Sequence, residues 1–89
     1  MEPIQIGDEV LITGVQDNLE TAVGRTGIVI SVLSEGDWIL VKFPERFDPR
    51  LHGGGMVKDP DKCCWGFSPE KCQKLNFAPI NTGDINILL

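Results

Sequence analysis

The feature that most constrains the fold is a pair of β-type segments joined by a short reversal. The first, Thr26–Leu33, reads TGIVISVL, and the second, residues 38–43, reads WILVKF. Both are rich in branched and aromatic residues, a composition that favours strands. The intervening residues 34–37 include Gly36, which tolerates the positive φ that a tight turn needs. The sequence therefore predicts an antiparallel hairpin.

Side-chain alternation along this hairpin predicts which residues meet across it. In an uninterrupted strand, Val29 and Leu33 point to the same face. Their candidate cross-strand partners share one face of the second strand, and these are Ile39, Val41 and Phe43.

Three further strands are predicted outside the hairpin. Residues 9–13 form the first strand, residues 63–67 the fourth and residues 74–77 the fifth. Between the last two, Ser68 stands at a helix-cap position and Pro69 at the first helical position, which predicts one short helical turn. Five short strands and no helix longer than a turn indicate a small all-β barrel.

Two irregular segments separate the predicted strands. Residues 14–25 show no alternation, so an excursion loop is favoured there over a short helical turn at residues 18–22. Residues 44–62 form a 19-residue loop with three prolines and three glycines. Lengthening a loop costs only about 0.6 kcal/mol per doubling. Loops this long within small domains are nevertheless usually functional or disordered, which makes the second segment the first candidate for a binding site.

The order of these motifs resembles the SH3-like barrel. GDEVLI, GRTGIVISV, WILVKF, LHGGG and CCWGFSPEKCQKL follow one another as in short SH3-like, KOW-like proteins of bacteria and their phages, loosely related to the SH3-like repeats of ubiquitin ligases. The resemblance covers residues 6–77. It implies a five-stranded barrel over residues 1–77, a long loop between strands 3 and 4, one 3₁₀ turn before the last strand, and a tail over residues 78–89.

The same resemblance implies a phage or bacterial accessory protein, including an inhibitor of a host system. The chain departs from peptide-binding SH3 domains because it has no tyrosine, whereas those domains present a row of tyrosines to polyproline ligands. It also lacks the basic loops of ribosomal KOW domains. Recognition of a proline-rich motif is therefore not what this sequence predicts.

Composition narrows the functional class. Eighty-nine residues make one domain, and a net charge of −5 argues against a nucleic-acid partner held through phosphate contacts. Three cysteines, two of them adjacent, make a poor disulfide framework and suit a reducing cytosol. The resemblance implies that this is the cytoplasm of a bacterium or of a phage-infected host. The start of the chain has no signal-peptide pattern, and no apolar run approaches the roughly 18 residues of a membrane span.

The preferred hypothesis is a non-enzymatic module that binds a protein partner or a small anionic ligand through the 44–62 loop and the face of Trp65. Three consecutive glycines can bring backbone amides close to an anion, although loop flexibility is the simpler interpretation of them. Trp65 adjoins the loop and offers an aromatic recognition surface. The predicted binding residues are Arg46, Arg50, His52, Gly53, Gly54, Gly55, Lys58 and Trp65.

Two alternatives belong to other functional classes. In the first, an apolar tail assembles copies of the chain into an oligomer through Ile85, Ile87, Leu88 and Leu89. In the second, His52 and the cysteines form an enzyme or a metal site. Adjacent Cys63 and Cys64 diverge on a strand, unlike zinc ligands, so no metal, cofactor or catalytic residue is predicted. The loop carboxylates read as solvated charges: Glu45, Asp48, Asp59 and Asp61.

Overall fold

The predicted five-stranded, all-β architecture is confirmed by a computed structural model, which describes residues 3–75. Its strands are β1 (Glu9–Ile12), β2 (Thr26–Leu33), β3 (Trp38–Lys42), β4 (Cys64–Phe67) and β5 (Cys72–Leu75). All neighbouring strands are antiparallel, and their order in the sheet is β4-β3-β2-β1-β5. The predicted oligomer contacts in the tail lie outside the described residues.

Short 3₁₀ turns make up the remaining regular structure of residues 3–75. The predicted turn before the last strand is present at Pro69–Lys71. Three others, which were not predicted as 3₁₀ turns, lie at Glu20–Ala22, Ser34–Gly36 and Gly55–Val57. None of these helical segments has the length and apolarity needed to cross a membrane.

The connection from β4 to β5 requires the sheet to coil. These strands occupy opposite edges of the sheet, yet only residues 68–71 join them. A flat sheet of five strands would hold its edges roughly 19 Å apart at about 4.8 Å per strand. A 3₁₀ turn rises only about 2 Å per residue. The Lys71 carbonyl accepts from Thr13 N at 2.8 Å, which holds the turn beside the end of β1. The result is consistent with a small SH3-like barrel whose sheet is not closed.

The β2–β3 pairing contains a bulge that changes the predicted faces. Val29 pairs with Val41, but the next pair along is Ser31 with Leu40, so β2 carries one extra residue at this point. The predicted alternation, with Leu33 on the same face as Val29, is therefore wrong. Leu33 instead pairs with Trp38 on the outer face and is 47% exposed.

The core lies on the inner face of the sheet and draws on both irregular segments. Phe43 contacts Phe67 edge-to-face, with ring centroids 6.1 Å apart. Leu19 and Ala22 reach the core from the excursion loop, and Leu51 reaches it from the long loop. The buried cluster comprises Val10, Ile12, Leu19, Ala22, Val29, Ile39, Val41, Phe43, Leu51 and Phe67.

The fifth strand begins earlier than predicted. It starts at Cys72 rather than at residue 74, because Ile12 of β1 pairs with Cys72 and Glu9 pairs with Leu75. The last two residues of the predicted strand, 76 and 77, lie outside the described part of the chain. β1 is thus flanked on both sides, by β2 and by β5.

Candidate binding groove

A groove of about 410 Å³ lies on the outer side of β2, β3 and β4, beneath the long loop. Its floor is formed by Leu40 of β3 and Gly66 of β4, which stand directly opposite each other. The indole of Trp38 lies over Gly66: a Cβ at position 66 would sit 2.8 Å from its Cε2 and Cζ2 atoms. Only glycine lets the indole lie against the strand at this point.

The bulge in β2 builds one wall of the groove. Because the extra residue reverses the alternation, Ser31 and Leu33 both line the groove. Leu33 extends the apolar surface of Trp38, its cross-strand partner. Without the bulge, alternation from Val29 would direct these side chains to the core face.

The opposite wall is the central part of the long loop. His52 forms an isolated bridge with Cys64, in which His52 N donates to Cys64 O at 3.1 Å and Cys64 N to His52 O at 3.0 Å. Gly54 adopts φ +80°, and a Cβ there would lie 3.2 Å from Cδ2 of Leu40, so the backbone packs tightly on the floor. Val57, 43% exposed, completes this wall.

His52 is held in one tautomer by the loop. Its Nδ1 accepts a hydrogen bond from the backbone N–H of Gly54 at 3.0 Å. In a neutral imidazole that accepts at Nδ1, the proton resides on Nε2, which is therefore a donor. The ring centroid lies 5.6 Å from that of Trp65. His52 thus contributes one hydrogen-bond donor beside an aromatic surface.

The excursion loop closes one end of the groove. Trp65 Nε1 donates to the carbonyl of Gln16 at 3.3 Å, and the backbone N–H of Ser68 donates to Gln16 Oε1 at 3.1 Å. These two bonds fix Gln16 against β4 and place Asp17, with φ +53°, at the groove rim. Asp17 is the one carboxylate among the lining residues within the described chain.

Asp59 anchors one end of the long loop. Its side chain is only 2% exposed and accepts from the backbone N–H groups of Asp61 at 3.1 Å and Cys63 at 3.0 Å. Lys42 Nζ lies 3.1 Å from the same carboxylate. Hydrogen bonding from Cys63 N, followed by that from Lys42, holds the pKa of Asp59 well below its usual range.

Asp48 anchors the other end in a similar way. It accepts from Thr21 Oγ1 at 2.8 Å and from Arg50 through its backbone N–H and its guanidinium. The Arg50 side chain is the main cause that lowers the pKa of Asp48. The prediction that these two carboxylates are solvated loop charges is therefore wrong. Both are buried with their oxygens hydrogen-bonded: Asp59 accepts from two backbone N–H groups, and Asp48 from one backbone N–H, a hydroxyl and a guanidinium.

Four of the eight predicted binding residues line the groove, and these are His52, Gly54, Gly55 and Trp65. The other four do not. Arg46 donates to the carbonyls of Lys62, Pro49 and Leu51, and Arg50 is engaged with Asp48.

Gly53 and Lys58 complete that second group. Gly53 packs against the Asp59 carbonyl, and Lys58 ends the 3₁₀ turn with φ +62°. Both belong to the backbone that shapes the loop rather than to the groove surface.

Sequence reasoning missed most of the apolar lining of the groove. Trp38 stood out as one of only two tryptophans. No local sequence pattern predicts that its indole lies over Gly66 of the neighbouring strand. Leu33 and Ser31 reach the groove only because of the bulge. Val57 and Asp17 reach it through loop conformations with positive φ at neighbouring residues.

The three cysteines are structural thiols in the described chain. Cys63 and Cys64 are buried and Cys72 is half-buried, and all three are unpaired. Burial raises the pKa of Cys64 to about 12, with a further contribution from Asp59, and that of Cys72 to about 11. Residues 3–75 contain no cluster of three or more His, Cys, Asp or Glu side chains arranged to hold a metal ion.

Comparisons of the chain with protein-family models, with curated proteins and with solved structures give no match. Function must therefore be inferred from the chemistry of the groove: two tryptophans, exposed aliphatic side chains, one imidazole donor and one rim carboxylate.

Proposed function

We propose that this protein is a non-enzymatic binding module whose groove takes an apolar segment of a protein. The observation that carries the proposal is the convergence of both tryptophans with Leu33 and Val57 around one groove. Aromatic side chains dominate protein recognition because they bury large apolar area with little conformational entropy. The rigid floor and the hydrogen-bonded loop keep this surface pre-organised, which lowers the entropic cost of binding.

A protein segment fits the groove better than a small anion. Arg46 and Arg50, the predicted cationic contacts, are already committed to loop carbonyls and to Asp48. The described rim instead carries the carboxylate of Asp17, which repels an anion. Apolar burial at about 25 cal/mol per Å² then supplies the driving force.

The biological setting follows from the sequence resemblance to short SH3-like proteins of bacteria and phages. We place the binding activity in the cytoplasm of a bacterium or of a phage-infected host, where the three unpaired thiols are stable. In that setting the module acts as an accessory protein or as an inhibitor of a host system.

A peptide-display selection against the full chain tests the proposal. The selected peptide is titrated while tryptophan emission is followed. The chain has two tryptophans and no tyrosine, and both tryptophans line the groove, so the emission reports on the groove. We expect Leu33→Glu to weaken binding by roughly tenfold or more, since it places a charge in a desolvated contact. Val23→Glu, at a similarly exposed position outside the groove, is the control. Equal affinity for Leu33→Glu and the unaltered chain would contradict the proposal.

A further inference from the structure

The N–H and C=O of one residue in the groove floor point toward the edge of β4 that β3 does not cover. Phe43 N donates to Cys63 O at 2.9 Å, so residues 63, 65 and 67 direct their backbone groups toward β3. By alternation along an antiparallel pair, residues 64 and 66 direct their backbone groups to the other side of β4, away from β3. Gly66 is buried, and no group within residues 3–75 hydrogen-bonds to its N–H or C=O at this edge of β4.

The neighbouring outward positions on β4 are both occupied by this chain. Cys64 exchanges two hydrogen bonds with His52, and Ser68 N donates to the side chain of Gln16. Among residues 3–75, the edge of β4 is therefore covered on either side of Gly66, and at Gly66, where it meets the groove, no described group covers it. Buried backbone groups are almost always paired, so an occupant that brings one N–H and one C=O completes this edge.

A residue in an extended chain provides these two groups in the required geometry. In an antiparallel pair, two opposed residues exchange both of their N–H···O bonds. The side chain of the paired residue then points to the face of Gly66 and Trp38, and its two neighbours point to the face of Trp65. Gly66 has no side chain, which lets another backbone approach closely.

The chain itself contains a segment of this pattern beyond the described residues. Residues 85–89 read INILL, with no charged side chain and with Ile85, Ile87 and Leu89 at a spacing of two. Nine residues, 76–84, lie between Leu75 and Ile85, and the ten steps from Leu75 to Ile85 can span up to about 33 Å when extended. Even a flat sheet of five strands is only roughly 19 Å across, so the segment is long enough to reach β4 from β5.

We propose that the groove binds residues 85–89 of this chain as a short extended segment, one residue of which exchanges backbone hydrogen bonds with Gly66. This inference rests on the proposed function, because it names the apolar segment that the groove takes. An uncharged segment suits a groove whose described lining holds two tryptophans and one carboxylate.

The direct test measures binding of a capped synthetic peptide of residues 83–89 to the full chain. The chain carries Ile85→Asp with Ile87→Asp, so that its own segment no longer competes for the groove. Peptide binding is followed by tryptophan emission. We expect saturable binding to this variant and roughly tenfold weaker binding when the one peptide amide that pairs with Gly66 is N-methylated. N-methylation of an adjacent amide, which points the other way, is the matched control. A methylation scan with no alternation would overturn the strand pairing.

A second measurement uses the intact chain. Ile85→Asp with Ile87→Asp should change the tryptophan emission of the protein, whereas Asn81→Asp with Thr82→Asp adds the same charge outside the segment and should not. A change that depends on protein concentration, with a doubled mass by light scattering, means that a second copy supplies the segment. A concentration-independent change means that the same copy supplies it, and both support the inference.

The inference and the proposed function can fail separately. If a display-selected peptide binds the groove but the 83–89 peptide does not, and the tail variant leaves emission unchanged, the inference is overturned while the binding function stands. If neither peptide binds, both are overturned.

Discussion

The two parts of the long loop do different physical work. Its flanks, residues 46–51 and 59–63, are fixed by buried groups: Leu51 in the core and the carboxylates of Asp48 and Asp59. Its centre, residues 53–57, lies over the groove and presents Val57 to solvent. A single glycine- and proline-rich segment is thus a structural element at its ends and a recognition surface in its middle.

This difference shows how a small domain can carry a long loop without losing stability. The flanks bury apolar area and satisfy backbone donors, so they offset the entropy of ordering the chain. The centre is then displayed with few conformational alternatives. Replacing all of residues 46–58 would remove Leu51 from the core, so variants confined to residues 53–57 are the cleaner probe of binding.

The largest expected effect is that of Leu51→Ala. Leu51 is 2% exposed and belongs to the core, so its truncation should lower the free energy of unfolding by about 2–5 kcal/mol. Val57→Ala in the same loop should change it by less than about 0.5 kcal/mol. Urea denaturation measures both. Similar losses for the two variants would break the distinction between flank and centre.

Asp59→Ala should produce the next largest effect. It leaves the N–H groups of Asp61 and Cys63 without their acceptor and removes the partner of Lys42. We expect a fall in Tm of roughly 10 °C for a domain of this size. Asp61→Ala, whose side chain is 70% exposed, is the control and should leave Tm nearly unchanged. A small effect of Asp59→Ala would mean that the flank is not anchored through this carboxylate.

The same anchors predict a loss of stability in acid. The pKa values of Asp48 and Asp59 are lowered in the folded protein by their hydrogen-bond donors. Their contribution is therefore complete above the usual aspartate pKa of about 3.9 and declines as pH falls below it toward the lowered values. Comparing urea denaturation at pH 6 and pH 2.5 measures this decline. Asp59→Asn should show a smaller difference between the two pH values, and an equal difference would argue against the assignment.

The smallest expected effect is a low reactivity of the buried thiols, which involves no change in the stability of the protein. Burial raises the pKa of Cys64 to about 12, so very little thiolate is present at pH 8. We expect a thiol reagent to modify Cys64 slowly in the native protein and rapidly in denaturant. Fast modification of the native protein, mapped to Cys64 by mass spectrometry, would show that the wall of the groove opens.

The sequence predicted those elements of the fold that depend on neighbouring residues alone. The bounds of β2 follow from TGIVISVL, and Pro69 marks the turn before β5. The start of β5 at Cys72 depends on pairing with Ile12 of β1, sixty residues earlier, and no local signal specifies it. The bulge likewise exists only in the pairing of β2 with β3.

The groove was predictable only in part, for a related reason. Trp65 and the glycines near His52 stood out because of their residue types, and the structure places these residues in the groove, except for Gly53. An aspartate in a loop has the same sequence signature whether it is solvated or buried, so the anchoring role of Asp59 was missed. Leu33 was assigned to the wrong face because one inserted residue reverses every later position.

The position of β1 between β2 and β5 has a consequence for how the chain folds. Glu9 pairs with Leu75, so the last strand must be available before both edges of β1 are paired. During synthesis, the β2–β3 hairpin can form early because its contacts are local, whereas the edge of β1 that pairs with β5 waits for almost all of the described chain to emerge. Contacts of such long sequence separation slow folding. We therefore expect folding to begin at the hairpin and the β1–β5 pairing to be the slow step.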